Sequence, residues 1–217
     1  MTEQINKVLP AIADPAPLGL GGFALTTFVL SAHNAGLAPD IVWLGLGLFY
    51  GGLAQLLAGM WEFKNKNTFG ATAFSTYGAF WLSLAGFVLI VLFNKTAAAA
   101  VSGPGLGQAL GWFLLAFAIF NAYMLLASAR INTVTFAIFL ALELTEICLS
   151  IGFFSGAGAG GGLVAIGGYV GLVTAVLAWY GSAAGVINSL AKRQVLPVGI
   201  PLWKDSDIAI PETVTVR

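Results

Sequence analysis

Charged residues are scarce in this sequence, and that scarcity excludes most classes of soluble protein. Asp, Glu, Lys and Arg together make up 8% of the 217 residues, whereas about 25% is usual for a soluble domain. Hydrophobic residues make up 59%, and the mean hydropathy is +0.92. The chain is therefore predicted to be an integral protein of the lipid bilayer. A net charge of zero argues against nucleic acid and against a basic lipid-binding surface.

Cysteine and histidine each occur once, as Cys148 and His33. One cysteine excludes an internal disulfide, and one histidine excludes the metal clusters and catalytic dyads that need several such residues. We therefore predict no metal site and no cofactor. A membrane enzyme would have only Glu143 and Glu146 as an acid/base pair and would lack a nucleophile. The chain is not predicted to be an enzyme.

Six apolar runs are long enough to cross a bilayer, which takes about 20 residues of helix. They cover residues 18–36, 40–61, 69–93, 107–128, 132–154 and 162–189. Because the connections are short, consecutive helices must be antiparallel neighbours. The predicted fold is all-α, a polytopic membrane protein with six transmembrane helices in one bundle. Its parts are a lead-in over residues 1–16, a transmembrane domain over 17–190 and a tail over 191–217.

Lysine and arginine lie almost entirely on one side of this predicted bundle. That side has Lys7, Lys64, Lys66, Arg130, Lys192, Arg193, Lys204 and Arg217, and the other has only Lys95. The excess predicts that both termini are cytoplasmic. The start of the chain lacks the apolar core of a signal peptide, and the proline-containing tail is expected to be extended and solvated. His33 then falls at the outer end of the first helix, where packing or capping is favoured over a proton relay.

Small residues recur at a spacing of four in several of the predicted helices. The pairs are Gly47 and Gly51, Gly107 and Gly111, Gly167 and Gly171, and Gly181 and Gly185. Such pairs let two helix backbones approach closely. We favour close packing within one bundle, and contact between subunits is the alternative.

The stretch from Phe49 to Trp81 combines a small-residue face with an aromatic face. One helix face carries Gly51, Gly52, Gln55, Gly59 and Glu62, and the other helix carries Phe74, Tyr77 and Trp81 at i, i+3 and i+7. The first face is nearly bare backbone with a single amide on it. Together the two faces suggest a pore.

Several neutral polar side chains fall inside the predicted spans, where an unpaired amide is costly. For Gln55, bonding between helices and lining of a pore are equally supported. For Asn121 we favour structural bonding. Thr26 and Thr27 are candidates for substrate contact, although hydroxyl groups in membrane helices usually bond their own backbone.

Glu143 and Glu146 are the least expected residues of the sequence. They are three residues apart on the fifth span, so they share a helix face near the bilayer centre. Ionisable groups at that depth are costly and are candidates for function. One interpretation is proton coupling. The other is a protonated or hydrogen-bonded pair at a helix or subunit contact.

Three motifs resemble those of the acetate uptake transporters, also called succinate–acetate permeases. They are DPAPLGL at residues 14–20, FYGGLAQLLAGMWEFKNKNTFGATAFSTYGAFW at 49–81 and LPVG at 196–199. The resemblance implies a six-helix permease for acetate, succinate and related small carboxylates in the plasma membrane. It also implies a homo-hexamer with a substrate path through each protomer.

The first motif is the expected entrance to the path. It consists of Asp14, Pro15, Ala16, Pro17, Leu18, Gly19 and Leu20. From the residues alone, Asp14 is expected to cap the first helix by accepting backbone hydrogen bonds. Asp14 also departs from the asparagine of the family signature, which places a charge at the entrance.

The resemblance implies that an aromatic residue, a tyrosine and an apolar residue narrow the path. Phe23 and Tyr77 match the first two, and the third is Phe139, or Leu140 if the register slips by one residue. If Phe139 faces the path, helical spacing brings the two glutamates to the same side; if Leu140 does, they turn partly away. The expected substrate-binding residues are Gln55, Thr26 and Tyr50.

The expected function is passage of small carboxylates through this narrow apolar constriction. Sequence leaves a passive channel and a proton-coupled carrier equally open, because both use the same constriction and carboxyl groups. The alternative within transport is a channel for a small neutral solute such as ammonia or water. A structural or assembly protein is a further alternative.

Overall fold

The computed structural model describes residues 12–203, and within them it contains six membrane-length helices. They are Ala16–Asn34 (α1), Val42–Lys64 (α2), Thr68–Phe93 (α3), Gly105–Ser128 (α4), Thr133–Phe154 (α5) and Gly162–Ala191 (α6). All six predicted spans are confirmed, with small shifts at their ends, and the described residues contain no strand. Predictions that concern residues 1–11 and 204–217, including Lys7, Lys204 and Arg217, lie outside the described residues.

Asparagine side chains define where two of the helices begin. Asn67 Oδ1 accepts a hydrogen bond from the Gly70 backbone N–H at 3.0 Å, and Asn132 Oδ1 accepts one from Thr135 N–H at 2.8 Å. Each bond satisfies an N–H group that has no partner inside its helix. Both caps lie at the end of the bundle that holds residues 12 and 203, which we call the near end; the opposite end is the far end.

At the far end, the connection from α3 to α4 contains a short helix, Lys95–Ala100, that the sequence analysis did not predict. Asn94 Oδ1 caps it by accepting from the backbone N–H groups of Thr96 and Ala97. The sequence signal for it is the Asn-Lys-Thr-Ala run, an N-cap residue followed by good helix formers.

Helix α2 is interrupted by a π-helical segment, Phe49–Ala54. The backbone there packs directly on α1, since a Cβ on Gly22 would lie 2.7 Å from the Tyr50 carbonyl oxygen. A Cβ on Gly51 would likewise lie 2.7 Å from Thr26 Cβ. The glycines of the small-residue face therefore allow close contact between the two helices, as predicted. The prediction of regular α-helical spacing was wrong across Phe49–Ala54, because that segment is π-helical.

The glycine pairs all face neighbouring helices or loops of the same chain. On α6, a Cβ at Gly181 would meet Leu20 at 3.2 Å, and one at Gly185 would meet Pro17 at 2.7 Å. Toward the far end, Gly171 contacts Ser31 of α1 and Gly168 contacts Ala35, the residue that follows α1, in the same way. The antiparallel pair α1 and α6 is thus closely packed along its whole length, and packing within one bundle is confirmed.

The described segment after α6 is extended and mostly exposed, as predicted, and residues 195–203 also form hydrogen bonds with the bundle. Asn188 Oδ1 accepts hydrogen bonds from the backbone N–H groups of Val195 and Leu196 at 2.7 and 2.9 Å, and its Nδ2 donates to the Leu196 carbonyl. The backbone N–H of Val134 donates to the Val198 carbonyl at 3.1 Å. The sequence analysis did not predict these hydrogen bonds, because single-sequence reasoning does not reveal the partner of a half-buried asparagine such as Asn188.

Candidate functional site

Two cavities enter the bundle, one from each end. The far cavity has a volume of about 340 Å³ and reaches from His33 and Asp40 at the far end to Phe23 and Tyr77. The near cavity has a volume of about 620 Å³ and reaches from Asp14, Asn132 and Asn188 to Phe69 and Phe139. Neither cavity is lined by a lysine or arginine within residues 12–203.

An aromatic wall separates the two cavities. On the far side, the rings of Phe23 and Tyr77 pack edge to face with their centroids 5.7 Å apart. On the near side, the rings of Phe69 and Phe139 do the same at 5.1 Å. The structure therefore brings the three residues expected to narrow the path, Phe23, Tyr77 and Phe139, to one wall. Phe69 belongs to it as well, and the sequence analysis did not identify it.

The two candidates on α5 differ in orientation. Phe139 is 7% exposed and points into the bundle, whereas Leu140 is 41% exposed and points away from it. Phe139 therefore lines the near cavity, and Leu140 faces the surroundings of the bundle.

A hydrogen-bond network behind the wall joins α3, α4 and α5. The Tyr77 hydroxyl donates to Asn121 Oδ1 at 2.9 Å, and Asn121 Nδ2 donates to the Phe139 carbonyl at 2.9 Å and to Glu143 Oε2 at 2.8 Å. Asn121 is fully buried, so every polar atom of its amide is paired between helices. The structural role that we favoured for Asn121 agrees with this geometry.

The two glutamates have different surroundings. Glu143 bonds Asn121 and lines neither cavity. Glu146 lines the far cavity, is 2% exposed, and has one oxygen, Oε1, 3.4 Å from the Tyr77 hydroxyl. Its other oxygen, Oε2, has no hydrogen-bond partner in the described part of the chain. Glu143 and Glu146 both lie on the same side of α5 as Phe139, as expected if Phe139 faces the path.

The three predicted substrate-binding residues lie at the contact between α1 and α2, and none of them lines either cavity. Gln55 is 1% exposed, and its Oε1 has no hydrogen-bond partner among the residues that the structure describes. The Thr26 hydroxyl donates to the Gly22 carbonyl of its own helix at 2.9 Å. The Tyr50 hydroxyl lies beside Gly21. The structure does not bring these side chains to the wall, and their role in binding substrate stays a prediction.

The residues at the two cavity mouths behave as the sequence predicts. Asp14 is exposed at the mouth of the near cavity, where its Oδ1 accepts a hydrogen bond from Ala16 N–H at 2.9 Å. His33 Nδ1 lies 3.3 Å from the Ala38 carbonyl, and its Nε2 lies 3.8 Å from Asp40 Oδ1. His33 thus packs against the turn that follows α1.

A sequence profile described as the GPR1/FUN34/yaaH family matches residues 4–201. The chain belongs to this family. Its relatives include acetate permease A of Emericella nidulans, 42% identical over 88% of this chain and 67% of the relative. They also include the succinate-acetate/proton symporter SatP of Escherichia coli K12, 38% identical over 87% of this chain and 96% of the relative. The family resemblance stated from the three motifs is confirmed.

Another relative in the GPR1/FUN34/yaaH family has a different name. The ammonia transport outward protein 2 of Saccharomyces cerevisiae is 44% identical over 80% of this chain. The chain spans about three fifths of the length of that relative, 61%. Among solved structures, the bacterial acetate channel SatP aligns with a TM-score of 0.79 and 36% identity, covering 87% of this chain and all of that one. The six-helix membrane fold of this family member is therefore shown.

Two further residues of this family member face the far cavity: Trp81, which was not selected as a site residue, and Thr27, which was a candidate for substrate contact. Thr27 and Trp81 each follow a wall residue, Phe23 and Tyr77, by four positions, and both line the cavity. Spacing of i to i+4 places them one turn farther from the wall on the same helix faces. That spacing was the available signal for Trp81, because residues one turn apart share a helix face.

Replacing Asn121 with leucine is expected to lower the free energy of unfolding by about 1–3 kcal/mol, because Glu143 and the Phe139 carbonyl lose their buried donor. Ala122→Leu is the matched control, since residue 122 is exposed on the same helix. Thermal unfolding of the two variants in detergent measures the difference. Equal midpoints for the two variants would contradict a structural role for the network.

Proposed function

We propose that this protein is a permease for acetate and other small carboxylates, and that it acts as a multi-pass protein of the plasma membrane. The observation that carries the proposal is the pair of cavities that enter from opposite ends and meet at one aromatic wall. A solute small enough to pass the wall crosses the whole bundle. The names of acetate permease A and of the SatP channel support acetate as that solute.

The wall selects by size and by hydration. Acetate has one methyl group and one carboxylate, so it fits between Phe23, Tyr77 and Phe139 where a bulkier acid does not. An anion must lose water to enter an apolar constriction, and this loss is the barrier to passage. Because the described residues that line the cavities include no lysine or arginine, neutral hydrogen-bond donors in the cavities replace part of the lost hydration.

Uptake of labelled acetate into proteoliposomes tests the proposal. We expect protein-dependent uptake, measured with and without an imposed pH gradient at clamped membrane potential. Accumulation that follows the pH gradient identifies a proton-coupled carrier, and flux that only relaxes the acetate gradient identifies a channel. Acetic acid crosses lipid unaided, so protein-free vesicles must be measured in parallel.

The Phe23→Trp variant is a control for the path itself. The larger ring adds volume to the wall, so acetate flux is expected to fall while the protein stays folded. Unchanged flux in Phe23→Trp would mean that acetate does not cross at this wall.

A second candidate function is passage of ammonia, which the name of the yeast relative favours. The far cavity supports it through its aromatic lining and its acidic groups, Asp40 and Glu146. Flux of labelled methylammonium that persists without any carboxylate, together with absent acetate flux, would favour this function over the first.

We further propose that the protein assembles as a homo-hexamer, in which each protomer has its own path. The proposal rests on the family resemblance and on the many large apolar side chains exposed on the bundle, such as Trp112, Ile119 and Leu126 on α4. Native mass spectrometry of the protein in detergent measures the number of copies directly, and a predominant monomer would contradict it.

A further inference from the structure

Three buried polar groups in the far cavity have no hydrogen-bond partner among residues 12–203. They are Thr27 Oγ1, Trp81 Nε1 and Glu146 Oε2. The three side chains are 5%, 3% and 2% exposed, and all line the far cavity. Burying a polar group without a partner costs free energy, so a ligand that pairs with these groups is stabilised there.

The positions of these groups define one region of the far cavity, next to the wall. Thr27 lies one turn beyond Phe23 on α1, and Trp81 lies one turn beyond Tyr77 on α3, so each is about 6 Å farther from the wall along its helix. Glu146 is tied to the same level, because its Oε1 is 3.4 Å from the Tyr77 hydroxyl. We call this region the floor of the far cavity.

The chemistry of the floor suits a carboxylate, but only together with a proton. The Trp81 indole N–H can only donate a hydrogen bond, and the Thr27 hydroxyl can donate one as well. Donors of this kind match the oxygens of a carboxylate. Glu146 opposes such a ligand when it is ionised, because two carboxylates in one buried site repel each other.

We propose that the floor of the far cavity binds one carboxylate, which accepts hydrogen bonds from Trp81 Nε1 and Thr27 Oγ1 and shares a single proton with Glu146. One proton shared between the ligand and Glu146 makes the total charge of the pair less negative, −1 instead of −2. The proposal rests on the proposed function, because it makes the transported carboxylate the ligand. It also assigns the proton to Glu146 and not to Glu143.

The other polar groups around Glu146 are bonded to one another or carry no charge. Glu146 is therefore the group that shares a proton with the ligand. On its own helix, Glu143 is bonded to Asn121 of α4. Tyr77 of α3 donates to the same asparagine. On the side of α6, Thr145 and Thr174 bond each other through their hydroxyl groups at 3.2 Å and carry no charge.

The remaining charged groups of the far cavity lie at its mouth. His33 and Asp40 face each other there, with Nε2 and Oδ1 3.8 Å apart. Asp40 Oδ1 also accepts a hydrogen bond from Trp43 Nε1 at 2.9 Å. Neither residue is at the level of the wall, so the proton of the bound pair is assigned to Glu146.

Binding of sodium acetate to the full-length protein in detergent tests the proposal without interference from diffusion through lipid. Titration calorimetry from mildly acidic to mildly alkaline pH gives the affinity at each pH. For the wild type and Glu143→Gln, we expect the affinity to fall about tenfold per pH unit above the pH at which Glu146 loses its proton. For Glu146→Gln we expect an affinity that does not depend on pH, because an amide donates a hydrogen bond without titrating.

The Trp81→Phe variant tests the donor separately. It retains an aromatic ring and removes the N–H, so acetate affinity is expected to fall about tenfold, the effect of one lost hydrogen bond. The dependence on pH should remain that of the wild type. Loss of the pH dependence in Trp81→Phe would contradict the assignment of the proton to Glu146.

The remaining outcomes separate this proposal from the proposed function. Affinity that is independent of pH in the wild type, or abolished equally in Glu143→Gln and Glu146→Gln, overturns the site. Acetate flux in proteoliposomes together with pH-independent binding overturns the site and keeps the permease. Binding that follows Glu146 without any flux keeps the site and overturns the permease.

Discussion

Replacing Phe139 with alanine is expected to raise the ratio of succinate uptake to acetate uptake about tenfold, the scale of a change of a few atoms in an apolar pocket. Phe139 is 7% exposed and closes the near side of the wall against Phe69. Removing its ring leaves a gap in the wall, so an acid with two more carbon atoms and a second carboxylate can enter. Uptake of each labelled acid into proteoliposomes, after subtraction of protein-free vesicles, gives the ratio.

Leu140→Ala is the matched control for this selectivity change. Leu140 is adjacent on α5 and also loses a large apolar side chain, but it is 41% exposed and faces away from both cavities. The uptake ratio of Leu140→Ala should equal that of the wild type. Equal ratios in Phe139→Ala and the wild type would show that the wall does not set selectivity.

Replacing Gly78 with alanine is expected to lower the free energy of unfolding by about 1–3 kcal/mol, the usual cost of overpacking a tight contact. A Cβ at this position of α3 would lie 2.6 Å from Leu56 N and 2.8 Å from Leu56 Cα. Both atoms belong to the backbone of α2, so the new methyl group forces the two helices apart. Thermal unfolding in detergent and the yield of monodisperse protein measure the loss.

Gly86→Ala introduces the same methyl group on the same helix in open space. A Cβ on Gly86 has no neighbour within 4 Å, and alanine is favoured over glycine in a helix by about 1 kcal/mol. This control should be as stable as the wild type or slightly more stable. If both variants lose stability equally, close approach of α2 and α3 at Gly78 is not the cause.

The number and placement of the helices followed from the sequence because hydropathy over some 20 residues is a strong local signal. The wall residues Phe23 and Tyr77 came from motif resemblance, and Phe139 and Leu140 could not be told apart. Adjacent residues on a helix point about 100° apart, and no local pattern on α5 says which direction is inward. The two residues are distinguished only in the folded chain, where Phe139 is buried and Leu140 is exposed.

The difference between Glu143 and Glu146 could not be predicted, because residues three apart share a helix face. Asn121 on α4 forms a hydrogen bond with Glu143, whereas Glu146 lines the far cavity. The same limit applies to Gln55, for which bonding between helices and lining of a pore were equally supported by the sequence. Its distance from both cavities depends on how α2 is turned at the π-helical segment, and that turn has no clear sequence signature.

The π-helical segment of α2 also determines which deletions this helix can accept. Its turn holds about one residue more than an α-helical turn would. Deleting one residue between Phe49 and Ala54 would remove this excess residue and restore regular α-helix, so the helix beyond would keep its facing, with Gly59 against Ser75 and Glu62 against Gly70. Deleting one residue from the regular α-helix between this segment and Gly59 would instead rotate Gly59 and Glu62 by about 100°, away from those contacts. The π-helical segment is therefore a place in α2 where the loss of one residue leaves the facing of the helix beyond it unchanged.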